Sequence, residues 1–369
     1  MSYYLEYKEL KKVNFDKFWS EVTVDDVEEV VRKSNLNRRD FLTLLAPEAA
    51  KKLEVMAQKA NQLTTSHFGK TIKLYLPLYL SNYCENQCLY CGFKAGNDVK
   101  RQKLTLEEVR KEAKAIAAKG IQHLLILTGG SRKKTPISYL RDCVLVLKEY
   151  FSSVALEVYP LEEEEYAKLI EAGVEGLTIY QEVYNQKRYK KLHPRGPKSD
   201  YRYRLKAPER ACKAGMRWVN IGSLFGLDDW RKEAFFAGIH ARYLQKKYLG
   251  TKLNLSLPRF NVSSSTNISI TKVSDRNLVQ IALAFRLFLP RVGLNLSTRE
   301  SAKLRDNLIP LGITKMSAES STAVGGYASK RNDKQFATED NRSVEEIKAI
   351  LRKKGYQPVL KDWPEGHLV

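Results

Sequence analysis

The stretch Leu74-Tyr-Leu-Pro-Leu-Tyr-Leu-Ser-Asn-Tyr-Cys-Glu-Asn-Gln-Cys-Leu-Tyr-Cys-Gly92 joins an apolar run to three closely spaced cysteines. Residues 74–80 predict a buried strand, and Cys84, Cys88 and Cys91 would lie on the loop that follows it. In a [4Fe–4S] cube each iron needs a ligand beyond the bridging sulfides, so three thiolates on one loop hold three corners and leave the fourth iron open. The stretch therefore predicts a strand that leads into a reactive iron–sulfur site.

A disulfide framework or a structural zinc site would use the cysteines differently. Five cysteines in 369 residues are few and odd in number, and no secretory signal opens the sequence, which argues against disulfides. Tetrahedral zinc takes four ligands, but Cys143 and Cys212 stand alone in helix-like segments and the five histidines are scattered. The Cx3CxxC spacing therefore favours the cluster.

The composition describes a globular chain with a large positive charge. Hydrophobic residues make up 43% of the chain, and no apolar run reaches the roughly 20 residues of a membrane helix. Reduced cysteines without a targeting segment predict a cytoplasmic protein. The formal charge of +21 predicts an acidic partner, and we expect an acidic electron donor such as flavodoxin or ferredoxin.

The basic residues are spread along the whole chain, which argues against a nucleic-acid partner. The densest basic run, over residues 187–204, mixes bases with tyrosines, and we interpret it as a solvated loop because no known binding fold surrounds it. The alternative from another class is a basic nucleic-acid-binding protein with a structural iron–sulfur or zinc site.

Short apolar runs alternate with amphipathic stretches after residue 70. Several of the runs are apolar throughout, as in strands that helices cover on both faces. Eight strands alternating with helices over about 250 residues predict a (β/α)8 TIM-type barrel, an α/β fold. The predicted strands are 74–80, 123–128, 155–159, 176–181, 218–222, 253–258, 293–297 and 313–317, and the clearest helices are 105–119, 138–150, 162–172 and 230–248.

We expect the barrel to span residues 71–325, between two further segments. Residues 1–70 predict a helical extension that packs outside the barrel. Residues 326–369 predict a polar C-terminal lid or tail with a helix over 344–354. Barrel enzymes carry their chemistry at the C-terminal ends of the strands, and polar residues cluster there in this sequence.

The pattern CxxxCx-aromatic-C, with Tyr90 as its aromatic residue, resembles the signature of the radical S-adenosylmethionine (SAM) superfamily. The resemblance implies that the open iron of a [4Fe–4S] cluster binds the amino and carboxylate groups of SAM. It also implies that an electron from the reduced cluster cleaves SAM and releases a 5′-deoxyadenosyl radical. The motif identifies the superfamily and leaves the substrate open.

Five further segments resemble the tyrosine lyases of thiamin biosynthesis, the 2-iminoacetate synthases. The segments are 157–160, 180–184, 296–301, 325–327 and 357–363, so the resemblance covers essentially the whole chain. It implies cleavage of the Cα–Cβ bond of L-tyrosine to 2-iminoacetate (dehydroglycine) and p-cresol. It also implies direct transfer of the easily hydrolysed 2-iminoacetate to thiazole synthase as a partner.

Related lyases are the alternatives within the superfamily. The tyrosine lyases of hydrogenase maturation share most of these motifs, but they carry an additional C-terminal domain with a second cysteine cluster. No cysteine follows Cys212 here, which favours the thiamin branch. A tryptophan lyase would release a 3-methylindole-type product in place of p-cresol.

The resemblance and the side-chain chemistry together predict the site. We expect Arg299 to pair bidentately with the tyrosine carboxylate, and Ser297 and Ser317 to hydrogen-bond the substrate. Cys84, Cys88 and Cys91 would hold the cluster. The remaining expectations concern the cofactors: Tyr90 as a wall beside the cluster, Gly129 and Gly130 in the turn after the second strand, Glu157, Gln181 and Glu182 on the SAM ribose and amino groups, Ile221 on the adenine, and Arg259 on the SAM carboxylate or the substrate.

One position departs from the family pattern. Relatives read Thr-Gly-Glu after the second strand, with the acid holding the SAM amino group, whereas this sequence reads Thr128-Gly129-Gly130. Either another acid such as Glu157 takes over this role, or SAM binding is weakened. We predict that Gly130→Glu, which restores the acid, tightens SAM binding, and unchanged affinity would mean that another residue supplies the lost contact.

Overall fold

Eight parallel strands close into a barrel in the computed structural model, which describes residues 2–260, 268–329, 331 and 334–361. The sheet order β2-β3-β4-β5-β6-β7-β8-β1, with a further pairing between β1 and β2, closes the ring and confirms the predicted (β/α)8 barrel. The strands are β1 (Thr71–Ser81), β2 (His123–Thr128), β3 (Ser153–Glu157), β4 (Val174–Thr178), β5 (Trp218–Ile221), β6 (Lys252–Ser256), β7 (Gly293–Leu296) and β8 (Lys315–Ser317).

Two of the eight strands, β3 and β4, begin two residues earlier than predicted and also end earlier. The apolar pattern continues past β3 into Val158 and Tyr159, which are buried although they follow the strand. In the same way Ile179 continues the buried pattern beyond β4. Burial alone therefore placed these boundaries too far along the chain.

A ninth strand, β9 (Gln357–Val359), was not predicted. It pairs in parallel with the first three residues of β1, while β2 pairs with β1 from Leu76 onward. The strand is three residues long and has Pro358 at its centre, which lacks the donor that a central strand position uses. The C-terminal segment therefore completes the barrel sheet at its N-terminal end as well as supplying a helix.

The helices alternate with the strands along the barrel, as predicted. The first five precede β1, and the last precedes β9. They are α1 (Tyr3–Leu10), α2 (Phe15–Glu21), α3 (Val24–Arg32), α4 (Arg38–Leu44), α5 (Leu53–Phe68), α6 (Leu106–Ala117), α7 (Ile137–Lys148), α8 (Glu163–Glu171), α9 (Gln186–Leu192), α10 (Tyr201–Leu205), α11 (Ala207–Lys213), α12 (Trp230–Lys247), α13 (Asp275–Phe288), α14 (Ala302–Leu308) and α15 (Val344–Lys353). No helix in the described residues is long and apolar enough to cross a membrane.

Helices α1–α5 pack against the outside of the barrel. The hydroxyl of Tyr3 donates a hydrogen bond to the carbonyl oxygen of Phe236 in α12 at 2.7 Å. The ring of Phe41 stacks on Phe288 in α13 with centroids 4.2 Å apart. These helices share one continuous hydrophobic core with the barrel. The division of the chain at residues 70 and 325 stays a prediction.

Candidate active site

The cysteine loop leaves the C-terminal end of β1 and is tied together at its two ends. Arg101 donates through Nη1 to the carbonyl oxygens of Asn82 (2.7 Å) and Phe93 (2.9 Å), and through Nη2 to that of Lys94 (2.7 Å). One guanidinium thus pairs three carbonyls that no strand or helix satisfies. A loop without regular structure is held in one shape in this way.

The three thiols of the loop open onto one cavity of about 200 Å³ at the top of the barrel. The Asn86 amide nitrogen lies 3.5 Å from Cys84 Sγ, and that of Gln335 lies 3.5 Å from Cys91 Sγ, so both thiols have a donor at hand. Burial raises the pKa of the Cys88 thiol to about 12. The cavity is lined by Cys84, Glu85, Asn86, Cys88, Cys91, Phe93, Thr128, Gly129, Gly130, Arg132, Glu157, Val158, Tyr159, Pro160, Glu182, Pro197, Lys198, Tyr203, Arg204 and Gln335.

Glu182 faces this cavity between two cations. Its Oε1 atom lies 2.7 Å from Lys198 Nζ and 3.3 Å from Arg204 Nη2. Burial raises the pKa of Glu182, but the two cations outweigh burial and hold it below the usual range. Its φ of 69° lies in the left-handed region, where non-glycine residues occur mainly at sites that constrain them.

The solvated-loop interpretation of residues 187–204 is wrong for Lys198 and Arg204. Their side chains are only 16% and 9% exposed, because both turn inward to Glu182. Arg204 also donates through Nε to the carbonyl oxygen of Tyr180 at 2.7 Å. Sequence spacing gave no sign of this, since a partner 16 or 22 residues away leaves no local pattern.

Glu157 ends β3 and lines the same cavity. Burial, followed by the nearby charge of Glu182, raises its pKa to about 7, although the charge of Arg299 acts in the opposite direction. Near neutral pH this carboxyl is therefore present in both protonation states. It can donate a hydrogen bond in one state and accept two in the other.

The turn after β2 is packed too closely for side chains. A Cβ atom at Gly129 would lie 2.3 Å from the carbonyl oxygen of Tyr83. A Cβ atom at Gly130 would lie 2.2 Å from the amide nitrogen of Asn86 and 3.5 Å from Cys84 Sγ. The space that a glutamate would need at position 130 is therefore taken by Asn86. Gly130→Glu therefore requires the Asn86 side chain to move, and its effect on SAM binding stays a prediction.

Tyr90 stands beside the last cysteine and is fixed by His193. The Nδ1 of His193 lies 2.9 Å from the carbonyl oxygen of Tyr189 and must donate to it, so Nε2 accepts from the Tyr90 hydroxyl at 2.8 Å. Burial lowers the pKa of His193 to about 3, which keeps the ring neutral. The hydroxyl of Tyr90 is thus occupied, and its role beside the cluster stays a prediction.

Arg299 and the two serines lie at the ends of β7 and β8, outside the lining of the cysteine cavity. The guanidinium of Arg299 lies 3.3 Å from the ring centre of Phe336. Ser317 Oγ accepts from the backbone amide of Thr298 at 3.1 Å, and Ser297 Oγ lies 3.4 Å from the amide nitrogen of Arg299. The ends of β7 and β8 thus bring the three predicted substrate residues together.

Four of the predicted cofactor residues lie outside the cavity lining, namely Tyr90, Gln181, Ile221 and Arg259. Gln181 is buried, and neither polar atom of its amide has a hydrogen-bond partner in the described residues. Ile221 is buried at the end of β5. Arg259 is committed elsewhere, because it forms ion pairs with Glu300 and Asp275.

Three further residues at the site were not predicted from the sequence. Asn86, Gln335 and Phe336 come from a turn and a tail, and only the cysteine spacing next to Asn86 could have drawn attention to it. Residues 362–363 of the last family-like segment lie outside the described residues.

Two family models match the chain. The model of the Radical SAM superfamily matches residues 78–237, and that of the Biotin and Thiamin Synthesis associated domain matches residues 256–357. With a three-cysteine loop at the C-terminal end of β1, these matches define the class of protein, a radical SAM barrel.

Individual relatives narrow the class. The 2-iminoacetate synthase of Escherichia coli (strain K12) is 41% identical over 92% of this chain and 91% of its own length. That of Salmonella typhimurium (strain LT2) is 40% identical over the same shares. The crystal structure of HydG, a maturase of the [FeFe]-hydrogenase, matches with a TM-score of 0.90 and 32% identity over 96% of this chain and 80% of that chain. The chain belongs to the 2-iminoacetate synthase family.

Radical SAM proteins use a [4Fe–4S] cluster and SAM, and the residues present fit both groups. Three free cysteines share one cavity, as a cube ligated at three corners requires. The described part of the chain holds no group of three or more His, Cys, Asp or Glu side chains arranged around a single metal ion. The unpaired hydroxyl of Thr128, which lines the cavity, leaves a polar atom for a ligand.

Proposed function

We propose that the protein cleaves the Cα–Cβ bond of L-tyrosine and divides its atoms between 2-iminoacetate and p-cresol, with 5′-deoxyadenosine and methionine formed from SAM. The observation that carries the proposal is the placement of two groups of side chains at the C-terminal ends of the barrel strands. The three thiols line one cavity, and Arg299, Ser297 and Ser317 lie at the ends of β7 and β8. Identity of 41% to a curated 2-iminoacetate synthase supports it.

The cysteine cavity would hold the cluster and SAM. When bound, the reduced cluster and SAM supply the radical that starts the reaction. Cys84, Cys88 and Cys91 would hold three irons. Glu182 would bind the SAM ribose, and Lys198 and Arg204 would hold the Glu182 carboxylate in place. Glu157, which titrates near neutral pH, would hydrogen-bond the same ligand from the end of β3.

The barrel interior would bind tyrosine. Arg299 would pair with the substrate carboxylate, because a guanidinium fork fixes both oxygens in one plane. Ser297 and Ser317 would hydrogen-bond the amino group and so orient the bonds around Cα. The hydroxyl of Tyr180 donates to Ser256 Oγ at 3.0 Å in the same interior, where it would face the substrate ring.

The C-terminal segment would keep water out of the tyrosine site. Gln335 Oε1 accepts from the Tyr79 hydroxyl at 2.7 Å, and the backbone amide of Gln335 donates to the carbonyl oxygen of Thr322 at 3.1 Å. These contacts hold Phe336 against Arg299. Because 2-iminoacetate hydrolyses readily, a closed mouth would preserve it until transfer.

Two partners follow from this reaction. Thiazole synthase would receive 2-iminoacetate directly from the barrel mouth. Flavodoxin or ferredoxin would supply electrons, and the charge of +21 on this chain would attract such an acidic donor.

A hydrogenase-maturation role is the second candidate, because HydG matches 96% of this chain with a TM-score of 0.90. The identity of 32% to HydG is lower than the 41% to the 2-iminoacetate synthase. Both roles share the predicted tyrosine cleavage. They differ in what receives the fragment.

The direct test is anaerobic reconstitution with iron and sulfide, followed by incubation with SAM, a reductant and tyrosine. We expect 5′-deoxyadenosine and p-cresol to form in step. With tryptophan in place of tyrosine, a 3-methylindole-type product would support the tryptophan-lyase alternative instead. The Cys88→Ala variant is the matched control, and p-cresol formation by that variant would refute the proposal.

A further inference from the structure

Three carboxylates line the cysteine cavity: Glu85, Glu157 and Glu182. SAM brings a sulfonium cation and an amino group into a cavity that also contains the cations Arg132, Lys198 and Arg204. A cationic ligand in a basic chain needs a carboxylate that no protein cation neutralises. The question is which of the three is available.

Two of the three carboxylates are poorly suited to the amino group. Glu182 Oε1 lies within 3.3 Å of both Lys198 and Arg204, so its charge is already compensated twice. Glu157 is buried at the end of β3, and burial raises its pKa, which disfavours its charged form.

Glu85 differs from both. It follows Cys84 directly in the cysteine loop, and its side chain is exposed to the cavity. The Ser131 hydroxyl donates to Glu85 Oε1 at 2.6 Å, which leaves Oε2 and the remaining lone pairs for a ligand. The cavity cations Arg132, Lys198 and Arg204 pair with Glu165 and Glu182, and no ion pair among the described residues involves Glu85.

The same loop fills the place where a side chain at position 130 would stand. The backbone amide of Glu85 donates to the carbonyl oxygen of Gly130 at 3.2 Å, which joins the cysteine loop to the turn after β2. Asn86 occupies the space beyond Gly130, with its amide nitrogen 2.2 Å from the position of a Cβ there. The Glu85 carboxylate and Gly130 therefore line the same cavity, with the carboxylate bound to Ser131, the residue after Gly130.

We infer that Glu85 binds the amino group of SAM, with Ser131 as a positioning residue that fixes its carboxylate. The inference rests on the proposed function only in that the protein must bind SAM. Glu85 would then act beside Cys84, the first of the three cysteines that would hold the cluster.

The test measures SAM binding to cluster-loaded protein under anaerobic conditions, without turnover. The variants are Glu85→Gln, Glu85→Asp and Ser131→Ala, each with iron and sulfide counted. A charge-assisted hydrogen bond contributes about 1.5–3 kcal/mol, so Glu85→Gln should raise the Kd for SAM about 10- to 100-fold. Glu85→Asp should recover part of the affinity, and Ser131→Ala should lose less than Glu85→Gln.

Two controls separate this effect from a general one. Glu164→Gln removes the same charge from the exposed surface of α8 and should leave the Kd unchanged. 5′-Methylthioadenosine lacks the amino acid part of SAM, so wild-type and Glu85→Gln proteins should bind it equally. The change that SAM causes in the electron paramagnetic resonance spectrum of the reduced cluster should need correspondingly more SAM in the Gln variant.

Each outcome decides a different claim. An unchanged Kd for SAM in cluster-loaded Glu85→Gln protein overturns the role of Glu85 and leaves the lyase proposal intact. Wild-type protein that loads a cluster but binds no SAM overturns both. If Glu85→Gln loads no cluster, Glu85→Ala takes its place, and an unchanged Kd for SAM in cluster-loaded Glu85→Ala protein would overturn the inference.

Discussion

The ring of Phe336 lies against the guanidinium of Arg299, with its centre 3.3 Å from Cζ. The two residues come from different parts of the chain, the C-terminal segment and the loop after β7. An aromatic face attracts a cation and holds a planar guanidinium parallel to it. The C-terminal segment thus orients the side chain that we assign to the tyrosine carboxylate.

Removal of this ring should weaken tyrosine binding without affecting SAM. A cation–π contact contributes about 0.5–2 kcal/mol, so Phe336→Ala should raise KM for tyrosine by about 2- to 30-fold. Phe336→Tyr keeps the ring and should stay close to wild type. Steady-state kinetics with varied tyrosine and saturating SAM would measure the effect, and a raised Kd for SAM with unchanged KM would contradict it.

Arg299 should favour tyrosine over compounds that lack the substrate carboxylate. Lysine keeps the charge but loses the fork, so we expect Arg299→Lys to lower kcat/KM for tyrosine by about 10- to 100-fold, corresponding to about 1.5–3 kcal/mol. Tyramine lacks the carboxylate, so its binding should be equal in wild-type and variant protein. Competition between tyramine and tyrosine would measure this, and an equal loss for both compounds would argue that Arg299 acts on something else.

The barrel could be predicted from the sequence because its signals are local. Each buried strand is a run of apolar residues, and the capping box of Thr105 and Glu108 that starts α6 lies within four residues. The strand β9 escaped prediction because three residues around a proline carry no periodicity.

The site was predictable only in part, because only some of its residues carry a local signal in the sequence. The cysteines follow one another on one loop, and the strand ends are fixed by the barrel. Lys198, Arg204 and Phe336 reach the site through tertiary contacts, so nothing near them in the sequence marks them as inward-facing. Arg259 lies on the rim as expected, but neighbouring acids at 275 and 300 engage it.

The raised pKa of Glu157 should make stability depend on pH. Its pKa is about 7 in the folded protein, above the ordinary value of 4.5, so the folded state binds the proton more tightly than the unfolded state does. The destabilisation is absent well below pH 4.5 and grows as pH rises until it is complete above pH 7. Relative to Glu157→Gln, the wild-type apoprotein should lose about 2 kcal/mol between about pH 5.5 and about pH 8.

Urea unfolding of the apoprotein and the Glu157→Gln variant at both pH values would measure this difference. Glu164→Gln, on the exposed face of α8, serves as the control and should show no such dependence. A difference between wild type and Glu157→Gln that does not change with pH would contradict the assigned pKa.

The proposed acidic electron donor makes a prediction about salt. Salt screens the attraction between charged surfaces, with a Debye length of about 10 Å at 0.1 M and about 3 Å at 1 M. Reduction of the cluster by flavodoxin should therefore slow about 10-fold or more as salt is raised across that range. Photoreduced deazaflavin has no docking surface and serves as the control in stopped-flow experiments. Equal salt dependence for both reductants would argue against an electrostatic docking site.

The turn after β2 gives the sharpest contrast between sequence and structure. By sequence, Gly130→Glu restores a family-like acid. In the structure its Cβ would lie 2.2 Å from the amide nitrogen of Asn86, which is itself held because its Oδ1 accepts from the backbone amide of Lys198 at 2.7 Å. We expect Gly130→Glu alone to weaken SAM binding, because Asn86 must be displaced next to Cys84.

A second substitution should reverse that loss. Asn86→Gly opens the space, so Gly130→Glu combined with Asn86→Gly should bind SAM more tightly than Gly130→Glu alone. In the Glu85→Gln background the same pair should restore part of the lost affinity, because the new carboxylate would stand where that of Glu85 acts. Equilibrium dialysis would measure the Kd for SAM of four cluster-loaded variants: Gly130→Glu alone, Gly130→Glu with Asn86→Gly, Glu85→Gln alone, and the three substitutions together. Tighter binding by Gly130→Glu alone would mean that Asn86 yields without cost and that the packing of this turn does not control the SAM site.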